Sequence, residues 1–129
     1  MNNLIGLGID IVEINRIKKA LNKNNNFKTR IFSKKEINFC EKNKNKFSCY
    51  SKRFAAKEAF SKALGTGIAK GLNFNEIVVI KNKLGKPSIE LYGKSLAVTR
   101  KITKKNKIKI FLSLSDEKKY ATASVVLTL

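Results

Sequence analysis

Histidine and tryptophan are absent from all 129 residues, and proline and methionine occur once each. Without histidine there is no Ser-His-Asp triad, no imidazole general base and no His-ligated zinc site. The two cysteines, Cys40 and Cys49, do not form a C-x-x-C pair and make a poor metal site alone. They read as reduced thiols in a cytoplasmic protein. No apolar stretch approaches the roughly 20 residues of a membrane span, and the N-terminus lacks the order of a signal peptide. Acidic residues are scarce: 9 Asp and Glu stand against 28 Lys and Arg, for a net charge of +19. Such a field favours anionic ligands or partners. Part of it reads as a solvated surface, since lysine alternates with asparagine through Lys42-Asn43-Lys44-Asn45-Lys46. With few sulfur ligands and no imidazole, any metal here is a hard cation held by carboxylates and substrate phosphates, which means magnesium.

What is present suffices for one domain over residues 1–129, with hydrophobic residues at 43% to fill a core. Leu4, Ile5, Leu7, Ile9, Ile11, Val12 and Ile14 form an apolar run that predicts a buried strand over 4–12. A helix from about Glu13 to Lys23 should turn Ile14, Ile17 and Leu21 inward, and Asn22 to Asn26 reads as a loop. Ser33 with Glu36 three residues on is a capping box that predicts a helix over 34–43. A long helix over 47–64 and a glycine-bearing loop from Gly65 to Asn73 follow. Two strands, 76–80 and 88–92, are joined through the turn residues Gly85-Lys86-Pro87. A helix over 94–104 and a final hairpin, with Ile108, Ile110, Leu112 and Leu114 on one face, complete an α+β fold. Its sheet is largely antiparallel and its long helix central.

Chemistry concentrates in two places. In the helix Arg53-Phe54-Ala55-Ala56-Lys57-Glu58-Ala59-Phe60-Ser61-Lys62-Ala63-Leu64, an advance of about 100° per residue gathers Glu58, Ser61 and Lys62 on one stripe. Taken alone, Glu58 and Lys62 are an ordinary i,i+4 surface pair worth about 0.2–0.5 kcal/mol, and Gly65 is a helix-ending residue. Asp10 is less ordinary, because a carboxylate inside an apolar strand must be paired, hydrogen-bonded or metal-bound. The segment from Gly65 to Gly71 fails as a nucleotide loop: it follows a helix, and its third glycine is misplaced for G-x-G-x-x-G. A non-catalytic basic module binding RNA or an acidic protein is the competing class, but most aromatics sit at core-periodic positions.

Gly8-Ile9-Asp10, Arg53 to Ala59, Lys62, Gly65-Thr66-Gly67, Gly85-Lys86-Pro87 and Ser113-Leu114-Ser115 occur in this order. In this the chain resembles, over essentially its whole length, the small bacterial holo-[acyl-carrier-protein] synthase family of 4′-phosphopantetheinyl transferases. The resemblance implies magnesium-dependent transfer of 4′-phosphopantetheine from coenzyme A to a serine of acyl carrier protein, with release of adenosine 3′,5′-bisphosphate. It implies Asp10 and Glu58 as metal ligands and Lys62 on the phosphates. Arg53, Ser61, Gly65 and Pro87 would lie around the nucleotide, and Arg16, Lys23 and Arg30 would dock the acidic carrier. It also implies a cytoplasmic homotrimer, with no membrane or nucleic-acid partner. Its sites would be shared between subunits, one giving the Asp10 strand and the other the long helix. The acceptor of the serine proton stays open between Glu58, Asp10 and a metal-bound water. Asp116 stands where many relatives have histidine; it is expected to cap the 116–119 turn or to join the metal's outer shell through water.

Overall fold

Small residues decide how this chain packs. In a computed structural model, which describes residues 3–67 and 71–129, strand β1 (Leu4–Glu13) lies directly against helix α4 (Lys46–Leu64). A side chain at Gly6 or Gly8 would overlap the carbonyl oxygens of Ala63 and Ala59 respectively. Only glycine on the strand and alanine on the helix allow that approach.

Between these two elements run α1 (Ile14–Lys23), α2 (Asn25–Ile31) and α3 (Lys34–Glu41). A 3-10 turn (Phe74–Glu76) follows, then β2 (Ile77–Lys81), β3 (Pro87–Leu91), α5 (Gly93–Thr103), β4 (Lys109–Asp116) and β5 (Tyr120–Thr128). The expected α+β architecture is present, as two antiparallel sheets. The larger has the order β1-β5-β4, with Asp10 opposite Ala123 and Leu114 opposite the same alanine. The β2–β3 hairpin forms the second sheet. Ala121, Ala123, Val125 and Leu127 of β5 are buried with Ala55, Ala59, Phe60 and Ala63 of α4 in one core. The predicted loop from Gly65 to Asn73 begins and ends as expected, while residues 68–70 lie outside the described residues.

Three expectations need correction. Strand β1 is not buried on both faces: Leu7, Ile9 and Ile11 are 66%, 64% and 64% exposed. Successive side chains alternate, and α4 covers only the face that carries Gly8 and Val12. The stretch Asn22 to Asn26 is not all loop, because the Asn24 side chain accepts from the backbone N–H groups of Asn26 and Phe27 and starts α2. Cys40 and Cys49 are not separate thiols. They form a disulfide, with Cα atoms 5.5 Å apart, because α3 ends and α4 begins with these residues facing each other across a short link.

Helix α4 is buried round most of its circumference, so it carries polar side chains inward. The Lys57 ammonium donates to Glu36 Oε1 at 2.7 Å and to the carbonyls of Phe74 and Ile77 at 2.8 and 2.6 Å. Glu36 accepts in turn from the backbone N–H groups of Ser33 and Val79. Both side chains are fully buried, and the expected capping box is thereby also the anchor that ties α3, α4 and β2 together. Burial pushes the Lys57 ammonium down to about 8, and the Glu36 carboxylate opposes that shift. Lys57→Met should therefore cost about 3–5 kcal/mol in urea unfolding, by leaving Glu36 charged and unpaired. Adding Glu36→Gln should recover much of that loss. A double variant no more stable than the single one would show that the pair does not act as a unit.

Candidate active site

Strand alternation places Asp10 on the inward face of β1, two residues beyond Gly8. The close strand–helix packing brings it to the C-terminal half of α4, where Lys62 Nζ lies 3.0 Å from Asp10 Oδ1 and 3.0 Å from the Ile9 carbonyl. The ion pair of this helix stripe is thus Lys62 with Asp10, across 52 residues, rather than the expected i,i+4 pair with Glu58. Glu58 is half-buried, and its carboxyl is held above the usual carboxylate range by burial and then by the charge of Asp10, against the pull of Lys62. Two mutually repelling carboxylates beside one ammonium form a site that a cation would relax.

Ser61 shares the stripe but is fully buried, its hydroxyl donating to the Glu58 carbonyl at 2.7 Å. Gly65 adopts φ 84° and its N–H bonds the Ser61 and Lys62 carbonyls. That left-handed residue ends α4 one turn after Lys62 and leaves the ammonium at the helix end. A cavity of about 340 Å³ opens beside Asp10 and Glu58, walled by Arg16, Ile17, Ala20, Phe27 and Phe54. Arg16 belongs to this cavity; Lys23 and Arg30 are exposed on α1 and α2.

The remaining expected residues lie elsewhere. Pro87 borders a separate cleft of about 190 Å³ with Lys52, Lys81, Gly85 and Ser113. Arg53 does not face open space: it is 1% exposed and stacks its guanidinium 4.6 Å from the centre of the Phe39 ring. The expected division of a shared site is also corrected. The Asp10 strand and the long helix meet within one chain, so any residues supplied by a neighbour must be others. Asp116 does not cap the 116–119 turn. Its carboxylate accepts from the Ser48 hydroxyl and lies 3.5 Å from Lys52 Nζ. The turn is capped instead by Glu117, which accepts from the N–H groups of Lys119 and Tyr120 at 2.7 Å each. Lys52 and Lys81, and the aromatic wall of Phe27 and Phe54, escaped the sequence reading because nothing local distinguishes them from other surface lysines and core aromatics.

Among the described residues no group of three or more His, Cys, Asp or Glu could enclose a metal. The two carboxylates of Asp10 and Glu58 fit a hard cation that keeps waters and takes further oxygen ligands from substrate phosphates.

The family model described as the 4′-phosphopantetheinyl transferase superfamily matches residues 6–124. The chain is 54% identical over 124 residues to the holo-[acyl-carrier-protein] synthase of Pelagibacter ubique, covering 96% of each. It is similar to the crystal structure of the Neisseria meningitidis holo-[acyl-carrier-protein] synthase, with a TM-score of 0.85, 35% identity and coverage of 98% of this chain and 99% of that one. The Helicobacter pylori enzyme, solved in complex with coenzyme A, matches with a TM-score of 0.79 and 35% identity, over 95% of this chain and 99% of that one.

Since Asp10 is one cause of the raised Glu58 carboxyl, Asp10→Asn should bring the Glu58 titration down toward the ordinary carboxylate value. Removing a like charge makes ionisation easier. Carbon-detected NMR of the Glu58 side chain reads this directly; an upward or absent shift would mean that the two carboxylates do not interact.

Proposed function

The chain belongs to the 4′-phosphopantetheinyl transferase superfamily, and from that premise we propose that it is a holo-[acyl-carrier-protein] synthase. The carrier serine oxygen attacks the β-phosphorus of coenzyme A. The bond from that phosphorus to the bridging oxygen breaks, and adenosine 3′,5′-bisphosphate leaves with the electron pair. The observation that carries this reading is the meeting of Asp10, Glu58 and Lys62 at the open end of α4. Phosphoryl transfer asks for positioning and charge stabilisation rather than covalent help. Magnesium held by Asp10 and Glu58 would supply neutralising charge at the pyrophosphate. Lys62, one turn past Glu58, offers its ammonium to the leaving phosphate. Residues 1–129 act as one transferase domain, in the cytoplasm and in the supply of carrier protein for fatty acid synthesis.

A homotrimer with shared sites completes the reading. Leu7, Val126 and Phe111 line up across the outer face of the three-stranded sheet, next to Ile9 and Ile11. An exposed apolar stripe of this kind suits burial against another subunit. In the trimer, the Lys52, Lys81 and Pro87 cleft of one chain would take the nucleotide end of coenzyme A gripped by Asp10, Glu58 and Lys62 of the next. The carrier would dock on α1 and α2, its acidic helix against Arg16, Lys23 and Arg30 and its apolar side chains in the Phe27 and Phe54 cavity.

The test is release of adenosine 3′,5′-bisphosphate from coenzyme A and apo carrier protein with magnesium, by a species that sediments as three chains. Glu58→Gln should lower turnover about 100-fold or more, with part of the loss recovered at high magnesium. Unchanged turnover at limiting magnesium would remove Glu58 from the site. Reversing the charges of Arg16 and Lys23 should raise KM for the carrier more than KM for coenzyme A, and salt should slow the wild-type reaction. Equal rises for both substrates would make these residues ordinary surface charge.

A further inference from the structure

Arg53 is a buried cation with no anion against it. Its Nη1 donates to the Cys49 carbonyl at 3.3 Å and to Cys49 Sγ at 3.1 Å. Its Nε, buried, has no hydrogen-bond partner. The carboxylate that influences it, Glu36, is committed to Lys57 and to two backbone N–H groups. Lys52 and Lys81, which face the same region, add further positive charge. Burial accordingly pushes the Arg53 guanidinium below its ordinary value. A lone charge in such a place is costly.

The sulfur at 3.1 Å changes its chemistry with oxidation state. In the Cys40–Cys49 disulfide it is a neutral, weak acceptor; opened, the same sulfur can be a thiolate in direct contact with the guanidinium. A cation beside a cysteine favours its thiolate, and stabilising the reduced form makes a disulfide easier to open. We propose that Cys40–Cys49 is a reversible redox site, biased toward its dithiol state by Arg53, whose co-reactant is a small dithiol or its disulfide. In the reducing direction the dithiol's thiolate attacks Cys40 Sγ. The S–S bond breaks with its electron pair leaving on Cys49 beside Arg53, and the second dithiol sulfur resolves the mixed disulfide. Cys40 is released as a thiol with one of the dithiol's two protons. The other proton goes to solvent, and the dithiol leaves as its own disulfide. Both cysteines are buried, so exchange proceeds through transient opening of the link between α3 and α4.

The whole protein, equilibrated in buffers of graded reduced to oxidised dithiothreitol and then quenched with an alkylating reagent, gives the midpoint by mass spectrometry. Arg53→Met should need a ratio at least tenfold more reducing than wild type for half-opening; an equal or less reducing midpoint overturns the proposal. A second comparison does not depend on that variant's fold. Cys40→Ser leaves Cys49 as the sole cysteine, and thiolate absorbance near 240 nm at pH 7 is expected and should vanish on unfolding in urea at the same pH. Absence of that band in the folded variant overturns the proposal equally.

Discussion

The distance between β1 and α4 governs this molecule. Gly6 and Gly8 leave no side chain between strand and helix, and Ala59 and Ala63 present only methyl groups and carbonyl oxygens. At that spacing Asp10, two residues along the same strand face, comes within reach of the helix stripe that carries Glu58 and Lys62. A larger residue at either glycine would push the strand outward. Asp10 would then lose its contact with Lys62 and its influence on Glu58, whatever their own identity. The alanines of β5 continue the same economy of volume, packing the central strand under the helix in one core.

Helix α4 is the hub on which unlike demands meet. Its C-terminal end carries Lys62 toward solvent, while its middle holds Lys57 and its first half holds Arg53, both enclosed. The two buried cations are treated in opposite ways. Lys57 has three short hydrogen bonds, one of them to a carboxylate, the condition under which a buried charge is tolerated. Arg53 has a carbonyl, a sulfur and an aromatic face. The first arrangement locks three elements together, and the second leaves an electrostatic demand unmet in the resting fold.

Features set by local sequence were legible in advance. The capping box of Ser33 and Glu36, the alternation of Ile110, Leu112 and Leu114, and the alanine-rich stripe of α4 each depend on neighbours within a turn or a hairpin. The pairing of Asp116 with Ser48 and Lys52 spans more than sixty residues, so turn propensity pointed to the wrong partner, and Glu117 took the cap one residue later. The disulfide depends on the crossing of two helices, which spacing between cysteines does not reveal. The outer face of β1 misled for a related reason: an apolar run announces two apolar faces but not what covers each. Asp10 and Glu58 stood out in the sequence as candidates. Their meeting within one chain required the fold.

Strand β1 answers to two selective pressures through a single backbone. Its even-numbered positions from Gly6 to Val12 face the helix and bring Asp10 to Lys62, while Leu7, Ile9 and Ile11 make the outer face. Because the period is two, inserting or deleting one residue would exchange the sets at a stroke, sending a carboxylate outward and isoleucines against the helix. Changes in length should therefore be purged from β1. In evolutionary terms the strand can change its outer letters, but not its spacing or its two glycines.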